Sequence, residues 1–141
     1  CVMLRMRPEG DGVGVKPIWE GPLDSISGGA VIVNGFVYGA AHNNYKGRNI
    51  WMCLDAGTGG VKWESTELVQ GSVLYADGRL YCLAEDGTMA LVNATPERFE
   101  IVGQFRFVDA KRDAWAHPVV LDGRLYLRYH EELRCYDVRA K

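Results

Sequence analysis

Three short stretches of the chain share one spelling. VIVNGFVY (31–38), LYADGRLY (74–81) and VVLDGRLY (119–126) each run Asn or Asp, Gly, one residue, Val or Leu, then Tyr. The glycines Gly35, Gly78 and Gly123 stand 43 and 45 residues apart, and Tyr38, Tyr81 and Tyr126 repeat the same steps. Asn-Gly and Asp-Gly between alternating apolar residues mark tight hairpins, because both central turn positions need positive φ. Each repeat unit therefore opens with two antiparallel strands joined by a two-residue turn.

A second pattern recurs in phase with the first. NIWMCLD (49–55) and ELRCYDV (132–138) stand where a third strand belongs, and each carries Cys, one residue, then Asp. GTMALVN (87–93) takes that place in the middle unit, with Asn93 for the aspartate. The fourth strand ends on an aromatic: Trp19 and Trp63 are 44 apart, and a further step of 44 reaches Phe107. Glycine-containing breaks such as GTGG, NG and DG interrupt the chain before three helical turns can form. TPERF (95–99) reads as a loop between strands three and four. Four short antiparallel strands at this period describe β-propeller blades. The expected fold is all-β, with about three blades' worth in one partial propeller domain over 1–141. Residues 1–20 supply strands three and four of a first blade, 28–64 a second blade, 70–107 a third, and 115–141 an incomplete last blade.

The stretch CLDAGTGGVKW (53–63) tests whether a glycine-rich turn here cradles phosphate. A P-loop needs Gly-Lys-Ser/Thr followed by a helix. Here no Lys-Ser/Thr follows, and VKW continues as strand. The turn is read as structural. Gly59 or Gly60 supplies positive φ, and Asp55 and Thr58 close the turn through hydrogen bonds. Trp63 then buries a large flat area. The spelling Asp-x-x-Thr-Gly-x-x-x-Trp, preceded by the Asn/Asp-Gly hairpin, resembles the repeat of the pyrroloquinoline-quinone-type (PQQ-type, quinoprotein-like) β-propellers. In that family the Trp is wedged between neighbouring blades, an arrangement known as tryptophan docking. The match is full at Asp55, Thr58, Gly59 and Trp63. The first unit keeps GVKPIW with Trp19. The third replaces Trp with Phe105 or Phe107 and lacks Thr-Gly, and the last keeps YDVRAK without a Trp. A WD40 propeller would show Gly-His and Trp-Asp dipeptides, which are absent.

The resemblance implies two kinds of function. Quinone-dependent dehydrogenases of this repeat are eight-bladed and hold PQQ with Ca²⁺ through ligands spread round the channel, and none of those ligands maps onto a residue of this chain. Other members lack the cofactor and serve as binding or assembly platforms, one being a lipoprotein of the bacterial outer-membrane assembly machinery. The expectation is a non-catalytic binding or assembly scaffold with no cofactor. Its alternatives are a fragment of a PQQ-dependent oxidoreductase, or a carbohydrate- or peptide-binding propeller. A periplasmic or cell-envelope place is implied by the resemblance alone.

Charge narrows the partners. Sixteen basic and 18 acidic residues give a net charge of −2 with no long basic run, so no footprint for nucleic acid exists. No apolar stretch is long enough for a transmembrane helix. The four cysteines Cys1, Cys53, Cys82 and Cys135 form no metal-ligand spacing and are expected to be buried free thiols. Cys1 also leaves lipidation open. His117, in WAHPVVL, is assigned a structural role at the start of an inner strand, and His130 a turn. HNNYKGRN (42–49) breaks the repeat with a polar insertion where the other units have short loops. His42, Asn43, Asn44, Tyr45 and Arg48, with Trp115 and His117, form the candidate contact surface. A ring of three blades is too tight for blade twist. The chain is thus expected either to continue into further blades of a longer protein, or to self-associate as a homodimer closing six blades.

Overall fold

The computed structural model describes residues 1–42, 50–111 and 114–139. Among them are 13 strands and no helix, arranged as four antiparallel sheets. β1 (Val2–Glu9) and β2 (Gly12–Glu20) form the hairpin of a first blade. β3 (Ala30–Val33), β4 (Phe36–Ala41), β5 (Ile50–Asp55) and β6 (Val61–Ser65) make a complete second blade. β7 (Gly71–Ala76), β8 (Arg79–Ala84), β9 (Thr88–Asn93) and β10 (Ile101–Arg106) make a third. β11 (Val119–Leu121), β12 (Arg124–Tyr129) and β13 (Glu132–Asp137) form the last sheet. The all-β propeller architecture expected from the repeat is the one observed.

The hairpin turns have the backbone their sequence demands. Asn34 and Gly35 adopt φ of 49° and 83°, and the Asp77-Gly78 and Asp122-Gly123 turns repeat that pair of left-handed residues. Register follows from the turns. In the second blade Val31, Tyr38, Cys53 and Trp63 lie side by side across the four strands. Their side chains face the third blade, because alternate residues of a strand point to one side of the sheet.

Three apolar clusters fill the seams between successive blades. The first seam gathers Leu23, Val37, Ala41, Ile50, Met52 and Leu54 with Trp19 against them. The second packs Tyr38, Trp51, Cys53 and Trp63 against Leu80, Cys82, Val92 and Phe99. The third joins Leu83, Met89 and Phe107 to Leu125 and Leu127. Burial in the second seam raises the Tyr38 hydroxyl far above its ordinary range and pushes the Cys53 thiol up to about 11. Cys82, enclosed completely, is raised for the same reason.

The expectation of four buried thiols holds for Cys53 and Cys82 only. All four are free, but Cys1 and Cys135 are exposed. Cys135 occupies the same register position as Cys53, opposite Tyr126 as Cys53 is opposite Tyr38. It is exposed because none of the described residues covers that face of the last sheet.

The indoles of Trp19 and Trp63 each reach into the following blade. Trp19 Nε1 donates to the Ala56 carbonyl at 2.9 Å, and Trp63 Nε1 donates to the Thr95 carbonyl at 2.8 Å. Both acceptors belong to the turn between strands three and four of the next blade. The 55–60 turn is wound tightly enough to receive Trp19. Asp55 Oδ1 accepts from the Gly57 and Thr58 amides at 2.9 Å each and from Thr58 Oγ1 at 3.1 Å. Gly59 adopts φ of 74°, and a Cβ there would meet the Trp19 ring at 2.7 Å, so shape and backbone both require glycine. Hydrogen bonding from the Thr58 side chain, then from its amide, holds the Asp55 carboxyl below the usual carboxylate range.

The third unit does not put Phe105 or Phe107 in the tryptophan position. Trp63 pairs with Cys53, which pairs with Tyr38, and the same ladder in the third blade runs Tyr81, Leu91, Gly103. Gly103 is the equivalent residue. A constant step of 44 fails because the connections differ. The link from β4 to β5 is longer than that from β8 to β9, and the link from β9 to β10 is longer than that from β5 to β6. Phe105 lies two residues on, and its ring contacts Tyr136 at 5.0 Å. Phe107 is buried past the end of β10, under the Arg134 guanidinium.

Candidate functional site

Antiparallel order places the start of each first strand beside the end of the second strand, as Ala30 pairs with Gly39 and Gly71 with Ala84. The connections between blades and the links from strand two to strand three therefore collect at one end of the sheets. The Asp55–Gly60 turn lies at the opposite end. His42, Trp115 and His117 all come to the first end. Asn43, Asn44, Tyr45 and Arg48 lie outside the described residues.

Hydrogen bonds fix the backbone there, both within and between blades. His42 N–H donates to the Asp24 carbonyl at 2.7 Å, and Glu85 N–H donates to the Gln70 carbonyl at 2.9 Å. Ser72 Oγ donates to the Ala116 carbonyl at 2.9 Å. His117 Nε2 lies 2.9 Å from the Ser27 carbonyl, and a carbonyl only accepts, so the proton sits on Nε2. His117 thus ties the entrance of the last blade to the connection between the first two. Both ties follow directly on Trp115, which stays 59% exposed.

Beside Trp115 opens a cleft of about 420 Å³ lined by Ile26, Ser27, His42 and Glu85. Ile26 is also exposed. Gln70 forms part of the floor nearby, donating from Nε2 to Glu85 Oε2 at 2.9 Å. Its buried Oε1 has no hydrogen-bond partner among the described residues. The arrangement is an apolar pair, Ile26 and Trp115, beside an imidazole, a hydroxyl and a carboxylate. Such a surface suits recognition, where an aromatic anchor supplies area and nearby polar groups set orientation. Ile26, Gln70 and Glu85 were not singled out in the sequence. They belong to three different connections and carry no local spelling that announces a common site.

Among the described residues, no group of three or more His, Cys, Asp or Glu side chains converges to hold a metal ion. No described helix is long and apolar enough to cross a membrane.

Known structures share this fold. A europium-containing methanol dehydrogenase superposes with a TM-score of 0.58 at 16% identity, over 78% of this chain and 22% of that one. A quinohemoprotein alcohol dehydrogenase from Comamonas testosteroni gives 0.58 at 18% identity, over 78% and 18%. BamB from Moraxella catarrhalis gives 0.59 at 21% identity, over 77% and 36%. The chain thus spans about a fifth to a third of the length of these propeller proteins. No protein-family model matches the chain, and no curated protein sequence matches it. The fold is that of PQQ-type propeller repeats, present as part of a propeller, and it is shared by enzymes and by BamB.

Proposed function

We propose that this run of PQQ-type blades is a non-catalytic binding scaffold that uses the Trp115 cleft to hold a peptide segment of a protein partner. The observation that carries this reading is Trp115 itself. A large aromatic residue stands 59% exposed on backbone tied down directly after it, at Ala116 and His117. Holding such a group rigid before binding reduces the ordering cost that association otherwise carries. Trp19 and Trp63 act as docking tryptophans that set the spacing of the blades, and Asp55, Thr58 and Gly59 shape one receiving turn. The scaffold takes no quinone and no Ca²⁺ of its own.

Peptides selected from a random displayed library against the 141-residue chain test this. We expect the selected peptides to lose about tenfold or more in affinity for Trp115→Ala, as a central aromatic anchor does. His42→Ala should weaken the same peptides less. Incubation with PQQ and Ca²⁺, followed by absorbance scans and dye-linked alcohol oxidation, tests the enzyme-fragment reading. A bound chromophore together with turnover would overturn the scaffold.

A further inference from the structure

We propose that the third seam holds a binding site for a small planar aromatic molecule with a ring N–H, of the indole class. This site is separate from the Trp115 cleft and does not rest on the scaffold reading.

The argument runs through three copies of one geometry. At the second seam Trp63 lies beside Cys53 and Tyr38 on its own blade, and Leu80, Val92 and Ala94 of the next blade belong to the same apolar cluster. Register gives the third-seam counterparts. Tyr81 and Leu91 stand for Tyr38 and Cys53, and Gly103 for Trp63. Across the seam Leu125, Tyr136 and Val138 stand for Leu80, Val92 and Ala94. The receiving turn is conserved in geometry at its start. Ala56 N–H donates to the Gly35 carbonyl at 2.9 Å, and Val138 N–H donates to the Gly123 carbonyl at the same distance. Ala56 is the residue whose carbonyl accepts the Trp19 indole. The strand walls of a tryptophan site and the first bond of its receiving turn are therefore present at the third seam, where Gly103 stands in the tryptophan's place.

The space is open. A cleft of about 350 Å³ is bounded by Tyr81, Leu91, Gly103, Phe105, Leu125 and Val138. A Cβ at Gly103 would meet nothing within 4 Å. Phe105 leans on Tyr136 and closes one side without filling the centre. The volume lies at the small end of the range typical for small-molecule sites, roughly 300–1,000 Å³. Two occupied copies in the same chain define what fits, namely a flat bicyclic ring with one donor.

Free indole is the probe, titrated into the 141-residue chain by calorimetry. We expect a dissociation constant on the order of 0.1–1 mM for a ligand of this size. Gly103→Trp supplies the ring in place and should weaken indole binding more than about tenfold while raising the melting temperature. If that variant fails to fold, Gly103→Leu blocks the cleft instead and should give the same loss. Naphthalene, which lacks the donor, should bind several-fold more weakly than indole, as expected for one missing hydrogen bond. Trp115→Ala should bind indole as the native chain does, separating this site from the Trp115 cleft. No binding up to about 5 mM indole, undiminished binding in the blocked variant, or equal affinity for naphthalene would each overturn the proposal.

Discussion

Trp63 shows how much one side chain contributes to a repeat fold. Its ring meets Tyr38 at 6.0 Å on its own blade and Phe99 edge-on at 5.4 Å on the next, and its N–H is bonded to Thr95. With only 8% of its surface exposed, replacement by alanine leaves a cavity that neither blade can close. Trp63→Ala should cost about 3–5 kcal/mol in urea melts, and a cost below about 1 kcal/mol would show that the seam collapses around the gap. Asp55 acts through charge as well as shape. Its folded-state pKa is lowered by Thr58, so its ionised form stabilises the fold above the unfolded value near 3.9. That contribution is lost as pH falls through the lowered folded value. Asp55→Asn keeps an acceptor oxygen but not the charge. The melting temperature of the native chain should exceed that of Asp55→Asn at pH 6, and the difference should close as pH drops below about 4. Asp137 and Glu100 are also held low, by Arg139 and by Asn93 with Arg98, but they are common to both proteins and cancel in the comparison.

The strands were legible where local chemistry dictates them. Asn34-Gly35, Asp77-Gly78 and Asp122-Gly123 announce their hairpins because few other dipeptides accept two left-handed residues in succession. Once the hairpins are placed, alternation assigns Tyr38 and Cys53 to one face. Element lengths between hairpins were not legible, since a connection can lengthen at little cost and leaves no periodic trace. Counting by a fixed step therefore reached Phe107 and passed over Gly103, which is defined only by pairing with Leu91. Phe99, buried from within a loop between Trp51 and Trp63, escaped for the same reason. The Trp115 cleft was half legible. The repeat break drew attention to His42, whereas Glu85 and Gln70 become neighbours of it only through blade packing. Close strand approach adds a further constraint that spelling does not reveal. A Cβ on Gly71 would lie 2.0 Å from the Leu83 carbonyl oxygen and 2.7 Å from the Ala84 Cα, both immobile backbone. Gly71→Ala should cost about 3 kcal/mol or more, whereas Gly103→Ala should stay within about 0.5 kcal/mol of the native chain, measured by the same urea melts.

At the scale of the molecule, the two ends of the blade array carry the same kind of surface as its seams. On the hairpin, Leu4, Met6 and Pro8 pair with Pro17, Val15 and Val13, so they share the face turned away from the second blade. Leu4, Met6, Val13 and Val15 on that face are all exposed. On the last sheet Val119, Leu121 and Leu133 are exposed as well. Apolar faces of this kind invite a partner, and we propose that further blades of a longer chain or, for the 141-residue chain alone, a second copy covers them. Light scattering on the 141-residue chain should give a mass above 15.7 kDa at micromolar concentration, and Met6→Lys with Val15→Lys should return it to the monomer value. The seams also set how the molecule comes apart. Units that touch only their neighbours unfold as a row of coupled segments, and the coupling between two of them is the seam they share. Two seams here are bridged by an indole bonded to the opposite blade, and the third is not. The row therefore has a weak link at a known place. In hydrogen exchange, the amides of β12 and β13 should open together and earlier than those of β4, β5, β8 and β9. Gly103→Trp should delay that opening until the last sheet exchanges in step with the rest, turning a chain that frays from one end into one that melts as a single unit.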